Sequence, residues 1–353
     1  MEDRKLVYDY SREDLTPLFQ EWNEPPYRVK QLWEGLYRHL WEDINDFTPF
    51  SIELRDRISQ DFTFQAIHPV REIVSPDGET HKTLFYTRSG NPLETVLMHY
   101  KNRHTLCISS QSGCGMGCIF CATGQMGFKA NLSCGEMIAQ VLYYNRILAQ
   151  DGQKLTNIVI MGMGEPLNNF DQTIKAIDFL NDPQGLNMGE RRFTISTVGL
   201  VPQLNRFSEM NRQINLAISL HAADDDLRSK IIPINRKYPL SELMAACRKY
   251  SKVTHRRITF EWALIRDFND DLGQAQKLVN LLKGLIAHVN LIPLNPTVLF
   301  PGKPPRSERI TQFQQYLIKN HIPCTIRLRR GIDIQAGCGQ LATKNLSEQN
   351  KLC

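Results

Sequence analysis

Apolar positions follow three successive regimes along this chain. Over the first 60 residues they recur at three- and four-residue spacing, in Leu15–Trp22 and Tyr27–Leu40, with Glu24–Pro25–Pro26 between them. That spacing predicts helices. Trp22, Trp33 and Trp41 all lie in this stretch, which predicts a compact helical module with an aromatic core. Between residues 65 and 105 the pattern becomes alternation, in Ala66–Val74, His81–Thr87 and Glu94–Tyr100, with turn residues at Asp77–Gly78 and Ser89–Gly90–Asn91. A small antiparallel element is expected there. Beyond residue 105 short apolar runs alternate with amphipathic ones. Strands are expected at Thr105–Ser110, Asn157–Gly162, Arg192–Thr197, Ile214–Leu220, Arg257–Ile265 and His288–Leu294. Helices are expected at Cys134–Gln150, Asp171–Leu180, Val201–Met210, Ser241–Ser251, Leu272–Leu285 and Glu308–Asn320, the first opened by a capping box, Ser133 with Glu136.

Short apolar strands joined by helical crossovers build a parallel sheet covered by helices. Six such units suit either an open doubly wound sheet or a partly closed barrel, and both place chemistry at the C-terminal ends of the strands. The expected division is a helical part over 1–62, an antiparallel β extension over 63–104, the βα region over 105–330, and a C-terminal loop and tail over 331–353. At 42% hydrophobic and 22% charged residues, wholesale disorder is excluded. The longest apolar stretches (Asn157–Gly162, Val289–Leu294) are far too short to span a membrane. The charged start MEDRKLVYDY does not read as a secretory leader, so a cytoplasmic location is expected. The nine cysteines are then expected to be thiols, metal ligands or catalysts rather than structural disulfides.

Charge is uneven. Residues 1–60 hold eight Lys/Arg against thirteen Asp/Glu, whereas residues 300–353 hold nine against three. A phosphate-binding surface is therefore expected to draw on Arg327, Arg329 and Arg330, with His255–Arg257 or Arg191–Arg192; a solvated basic face is the alternative.

The densest chemistry follows the first βα strand, in SQSGCGMGCIFCATG. Cys114, Cys118 and Cys121 stand in C-x3-C-x2-C spacing on a glycine-rich loop that can bend around a metal centre. A four-iron cubane takes one ligand per iron, so three thiolates leave one iron open for chemistry. Structural zinc, with Cys107 as a fourth ligand, is the alternative.

This motif, with Phe120 at its aromatic position, resembles the signature of the radical S-adenosylmethionine (SAM) superfamily. The resemblance implies a partial (β/α)6 barrel, a 4Fe–4S cluster on Cys114, Cys118 and Cys121, and reductive cleavage of SAM to a 5′-deoxyadenosyl radical. Downstream, Gly162-Met163-Gly164-Glu165-Pro166 resembles the superfamily's GGE-type motif. Gly164 and Glu165 are implied in SAM binding, with Ser196, Ser219, Leu220, His221 and Asn295 at later strand ends.

Cys107 lies seven residues before the first cluster cysteine, and Cys338 lies between two glycines in the C-terminal loop. With GMGEPL, ISTVGLVP and SLHA, they resemble the RlmN/Cfr family of radical SAM enzymes that methylate adenine in 23S rRNA, from about residue 20 to residue 342. The resemblance implies two SAM molecules per turnover. Cys338 takes a methyl group from one, and the radical made from the other activates that S-methyl carbon for addition to the base. Cys107 then resolves the protein–RNA adduct by forming a Cys107–Cys338 disulfide, and Glu94 accepts the proton. Methylation is expected at carbon 2 of adenosine in 23S rRNA and in the tRNA anticodon region, with carbon 8 the alternative within the family. The same resemblance implies a reductant such as flavodoxin, no membrane partner and a monomer. It also assigns the N-terminal module to RNA, with Tyr27, Arg28, Lys30 and Trp33 as a contact group. A zinc-bearing RNA-binding protein without catalysis is the reading from another class. Without the family, Cys107 reads as a buried strand thiol and Glu94 as a carboxylate facing water.

Overall fold

The computed structural model describes residues 4–327 and 330–342. Arg329 and the tail beyond Ala342 lie outside the described residues. The aromatic N-terminal stretch folds as β1 (Lys5–Leu6), α1 (Arg12–Glu21), α2 (Tyr27–Tyr37), α3 (Ile52–Asp61) and β2 (Phe62–Thr63). Ser11 and Asp14 close a capping box on α1, and β1 pairs in parallel with β2, tying the two ends of the module together. Trp33 packs on Tyr37 with ring centroids 4.4 Å apart and meets Phe179, outside the module, edge-on at 5.1 Å. The expected RNA contact group is thereby divided. Tyr27 and Lys30 face solvent and Arg28 lies over the Tyr27 and Phe50 rings, but Trp33 is only 2% exposed and serves the core.

Strands β3 (Ile67–Val74), β4 (Thr80–Thr87), β5 (Pro92–Tyr100) and β6 (Arg103–Ile108) run antiparallel, each beside the next. The cysteine loop follows, its base closed by antiparallel pairing of β7 (Gln111–Gly113) with β8 (Phe128–Asn131), and the single turn α4 (Ala122–Gln125) lies inside it. The alternation then continues through α5 (Cys134–Gln150), β9 (Asn157–Ile160), α6 (Phe170–Asn181), β10 (Phe193–Thr197), α7 (Val201–Glu209) and β11 (Asn215–Ser219). It ends with α8 (Asp225–Ile231), α9 (Leu240–Thr254), β12 (Ile258–Leu264), α10 (Leu272–Leu282), β13 (Ala287–Pro293), α11 (Ser307–Lys319) and β14 (Cys324–Ile326).

One ten-stranded sheet runs β14-β13-β12-β11-β10-β9-β6-β5-β4-β3. From β6 through β14 the pairing is parallel, so the six expected strands form the partial barrel and β14 adds a seventh. Among the described residues the order is linear, and the barrel stays open between β14 and β6. β6 belongs to both halves of the sheet: its other edge receives the antiparallel strands. β12 is buried at every position except Thr259, as a central parallel strand must be. Beyond β9, two elements were not legible in the apolar pattern, the short acidic helix α8 and the three-residue β14; before it, α3, α4 and the short pairs β1–β2 and β7–β8 were not expected either. Among the described residues no helix is long and apolar enough to cross a membrane.

Candidate active site

The three cluster cysteines sit on the loop leaving β6, at the C-terminal end of the parallel strands, and line one cavity. Gly113, at φ +72°, presses so close to the Gly127 carbonyl that a side chain there would collide with it. The Cys114 N–H donates to that same Gly127 carbonyl at 2.9 Å, and Cys121 N–H donates to the Cys118 carbonyl at 3.1 Å. Ile119 N–H donates to the Ile231 carbonyl at 3.1 Å, which anchors the loop to α8. Burial pushes the Cys114 thiol up to about 12 and that of Cys118 well above its usual value, and the neighbouring thiols add to both shifts. Metal binding releases these protons and reverses the penalty.

The donor set distinguishes two metal centres. A single zinc needs its thiolates about 2.3 Å from one point. Among the described residues no three His, Cys, Asp or Glu side chains stand close enough to hold one ion. A cubane spreads its thiolates over separate irons, and Cys114, Cys118 and Cys121, lining one cavity from a loop segment of eight residues, fit that larger group.

Around the same cavity lies the second motif. Ser110 and Gln111 both donate their N–H to the Met163 carbonyl, at 2.9 and 3.1 Å, locking the end of β6 to the segment after β9. Gly164, at φ +105°, leaves no room for a side chain: an added carbon would lie 2.6 Å from the Gln111 Cβ. Glu165 accepts from Leu167 N–H at 3.1 Å and Val198 N–H at 2.9 Å, while burial still raises its carboxyl to about 7. Such a carboxylate is suited to receive an ammonium group. Ser196 and Ser219 approach within 3.4 Å at the ends of β10 and β11. The His221 Nδ1 accepts from Ala263 N–H at 2.8 Å, and burial lowers the ring to about 3, so it is a neutral imidazole with its proton on Nε2. Asn295 donates to the Cys338 carbonyl at 3.1 Å, while its Oδ1 is buried without a partner, an acceptor awaiting a donor. Leu220 does not join them. Its side chain is in the core, and only its backbone takes part in the surrounding hydrogen bonds.

Cys107, on β6 between Val96 and Val159, lines this cavity together with Cys338. Burial lifts Cys107 to about 12, Cys338 repels its charge, and Arg327 draws it back. Cys338 is raised by burial and lowered by Arg327. The segment carrying Cys338 bridges the open side of the barrel. Lys82 Nζ donates to the Gln335 carbonyl at 3.3 Å, Ala122 N–H to the Gly339 carbonyl at 2.7 Å, and Thr123 Oγ1 to the Leu341 carbonyl at 2.6 Å. Glu94 completes the clamp, accepting from Ala342 N–H at 3.0 Å with Lys82 Nζ at 3.3 Å. Glu94 is buried rather than facing water, and it stands behind the Cys338 segment, outside the residues lining the cavity.

Arg327 points into the cavity beside the two thiols instead of forming an outer phosphate surface. Arg330 lies over the Tyr100 ring, 4.4 Å from its centroid, and pairs with Glu79. Arg191 and Arg256 converge on Gln213 at the N-terminal edge of β10–β12, the end opposite the site. Glu261 was missed by sequence reasoning. Its signal was a carboxylate inside the apolar strand run of β12, and it is buried in the cavity wall with Asn290 Nδ2 donating to it at 2.9 Å.

An open parallel barrel with three loop thiols on one cavity and a Gly-Glu strand end facing them is the architecture of a radical SAM enzyme. Residues 108–279 match the radical SAM superfamily, and residues 7–63 match the ribosomal RNA large subunit methyltransferase N-terminal domain. The chain is 48% identical to the dual-specificity RNA methyltransferase RlmN 1 of Myxococcus xanthus, over 95% of this chain and 93% of that protein. It is also similar to a crystal structure of a radical SAM methyltransferase from Sphaerobacter thermophilus, with 47% identity, a TM-score of 0.94, and coverage of 96% of this chain and 99% of that one. The chain belongs to the RlmN family of radical SAM RNA methyltransferases. It is a SAM-dependent RNA methyltransferase, and its cofactors are a 4Fe–4S cluster and SAM.

Proposed function

We propose that this enzyme methylates carbon 2 of adenosine in 23S rRNA, at the peptidyl transferase centre, and in the anticodon loop of tRNA, with Cys338 as the carrier of the transferred carbon. The observation that supports this reading is the shared cavity: Cys107 and Cys338 line the same space as Cys114, Cys118 and Cys121. Carbon 2 of adenine is electron-poor and does not attack a sulfonium, so the carbon must be delivered to it as a radical. Cys114, Cys118 and Cys121 hold the cluster, and Glu165, Gly164, Ser196, Ser219, His221 and Asn295 hold SAM, while Leu220, its backbone groups already hydrogen-bonded, stays in the wall behind them. When bound, the cluster supplies the electron that splits SAM into methionine and the 5′-deoxyadenosyl radical.

Cys338 acts first as a thiolate that takes the methyl group of one SAM molecule, with S-adenosylhomocysteine leaving, and Arg327 supports that charge. Its S-methyl carbon, after giving a hydrogen atom to the 5′-deoxyadenosyl radical, bonds to the adenine carbon and joins protein to RNA, and the unpaired electron left on the ring is given back to the cluster. Glu94 accepts the proton that this carbon loses. In the present arrangement it holds Ala342 N–H, so it gains access to the base when the Cys338 segment lifts. Cys107 then attacks the Cys338 sulfur; the carbon–sulfur bond breaks, the freed carbon keeps the electron pair and takes a proton from solvent to become methyl, and a disulfide remains for a cytoplasmic reductant to open. A flavodoxin-type donor, a monomeric state and a cytoplasmic location belong to the same proposal. So does a division into an RNA-binding module over 1–62, a β extension over 63–104, a barrel over 105–330 and a carrier segment over 331–353.

The test is mass spectrometry of nucleosides from 23S rRNA and tRNA treated separately with reconstituted enzyme. 2-Methyladenosine is expected from both. 8-Methyladenosine as the sole product contradicts the assignment. Cys338→Ala is expected to keep the iron chromophore and lose all methylation; a methylating Cys338→Ala enzyme would remove the carrier role.

A further inference from the structure

Arg228, on α8, is 1% exposed and has no carboxylate within ion-pair distance among the described residues. All its partners are neutral. Nε donates to the Leu220 carbonyl at 3.0 Å, Nη1 to Asn235 Oδ1 at 2.8 Å, and Nη2 to the Val198 carbonyl at 2.7 Å and the Ser219 carbonyl at 3.1 Å. Asp225 makes no hydrogen bond to it and supports its charge only from behind Asn235, whose Nδ2 donates to Asp225 Oδ1 at 2.9 Å. Cys247 faces it too, but burial lifts that thiol to about 12 and leaves it uncharged. Four hydrogen bonds hold the guanidinium in place, and no carboxylate meets it directly to offset its charge. A buried cation without a counter-charge is costly, and folds retain one where an anion is to be supplied.

The anion is at hand on the same wall. Ile231, one turn along α8, packs with Ile232 and Val198 against Cys118, and accepts the Ile119 N–H of the cysteine loop at 3.1 Å. Nη2 of Arg228 holds the carbonyl of Val198, a residue of the same packed group as Cys118. A four-iron cluster on three thiolates carries roughly one net negative charge, and about two after accepting one electron, so a fixed cation nearby favours the reduced form more than the oxidised one.

We infer that Arg228 is the built-in counter-charge of the cluster, a positioning residue that raises its reduction potential and so eases the electron transfer that cleavage of SAM requires. The inference rests on Cys118 being a cluster ligand. The electron comes from a low-potential one-electron donor and resides on the cluster; Arg228 exchanges neither proton nor electron.

Redox titration of the anaerobically reconstituted full chain, read by the electron paramagnetic resonance signal of the reduced cluster, tests it. Arg228→Gln is expected to bind iron yet show at least a tenfold lower ratio of reduced to oxidised cluster at fixed potential, which is 59 mV for one electron. Arg228→Lys, which keeps the charge and loses the hydrogen-bond fork, should stay within about threefold of wild type. Asn235→Asp retains the contact to Nη1 and adds a carboxylate to it, so it should shift the ratio in the same direction as Arg228→Gln; it decides the matter if the glutamine variant does not fold. A loaded cluster whose midpoint ignores both neutralising changes overturns the inference, as does a lysine variant that falls as far as the glutamine one. A wild-type chain that takes up no iron would overturn the cluster reading itself, and this inference with it.

Discussion

Individual side chains divide by how much of their role their sequence neighbours betray. Three cysteines on a glycine-rich loop announce a metal centre, and Cys338 between Gly337 and Gly339 announces an accessible thiol, because spacing and backbone freedom are local properties. Glu261 and Arg228 carry no such local mark. Each stands alone in its stretch, and its meaning comes from what the fold brings beside it. Cys107 is legible as a buried strand residue, and the structure adds the facing Cys338 and Arg327. Its thiol, lifted to about 12 by burial, governs the proposed release step. The attacking species is the thiolate, whose fraction below that value rises about tenfold per pH unit. Single-turnover release of RNA from the adduct should therefore accelerate by about tenfold per unit between roughly pH 6.5 and 8.5, as measured by quenched-flow gel assay. A rate flat across this range would show that Cys107 does not limit release.

At the scale of elements, strands and helices with a sustained period were legible almost to their ends: Cys134–Gln150 appears as expected, β9 through β12 fall within the expected runs, and β13 starts one residue early. Apart from α3, the misses were short. α8 opens on Asp224, Asp225 and Asp226, a polar cluster that reads as a loop until the Asp224 carboxylate caps it, and β14 is too brief to show alternation. These two elements nevertheless shape the site, α8 by holding the cysteine loop and β14 by delivering Arg327. Connections between elements are as demanding as the elements. Gly164 combines a left-handed backbone with direct contact on Gln111, so Gly164→Ala should lose about 2 kcal/mol or more of stability and most SAM affinity. Thermal unfolding and SAM titration read the two effects. A variant with unchanged melting temperature would mean that the close approach is easily relaxed.

In the whole molecule, uneven charge allowed a phosphate-binding surface in the later part of the chain without deciding which face carries it. The Arg191–Arg192 pair lies at the N-terminal edge of the parallel strands, away from the cavity, whereas exposed Arg266 and Lys303 lie on the loops leaving β12 and β13 at the catalytic end, joined by the Arg266 N–H donating to the Lys303 carbonyl at 2.8 Å. Removing Arg266 and Lys303 together should raise KM for RNA and reduce the slope of log affinity against log salt by about one per cation lost. Arg191→Ala with Arg192→Ala should leave both within about twofold. The reverse result would put the RNA on the other end of the barrel. The expected parallel strand at Arg192–Thr197 already puts the Arg191–Arg192 pair at the N-terminal end, whereas the approach of Arg266 to Lys303 shows only in the assembled sheet.

The central claim is that Cys338 carries the carbon and Cys107 frees it. Mass spectrometry of peptides from Cys107→Ala enzyme after a single turnover on RNA addresses it most directly. The account predicts a peptide containing Cys338 joined through one carbon to adenosine. Free methylated RNA with no adduct, or an adduct on any other residue, would contradict it.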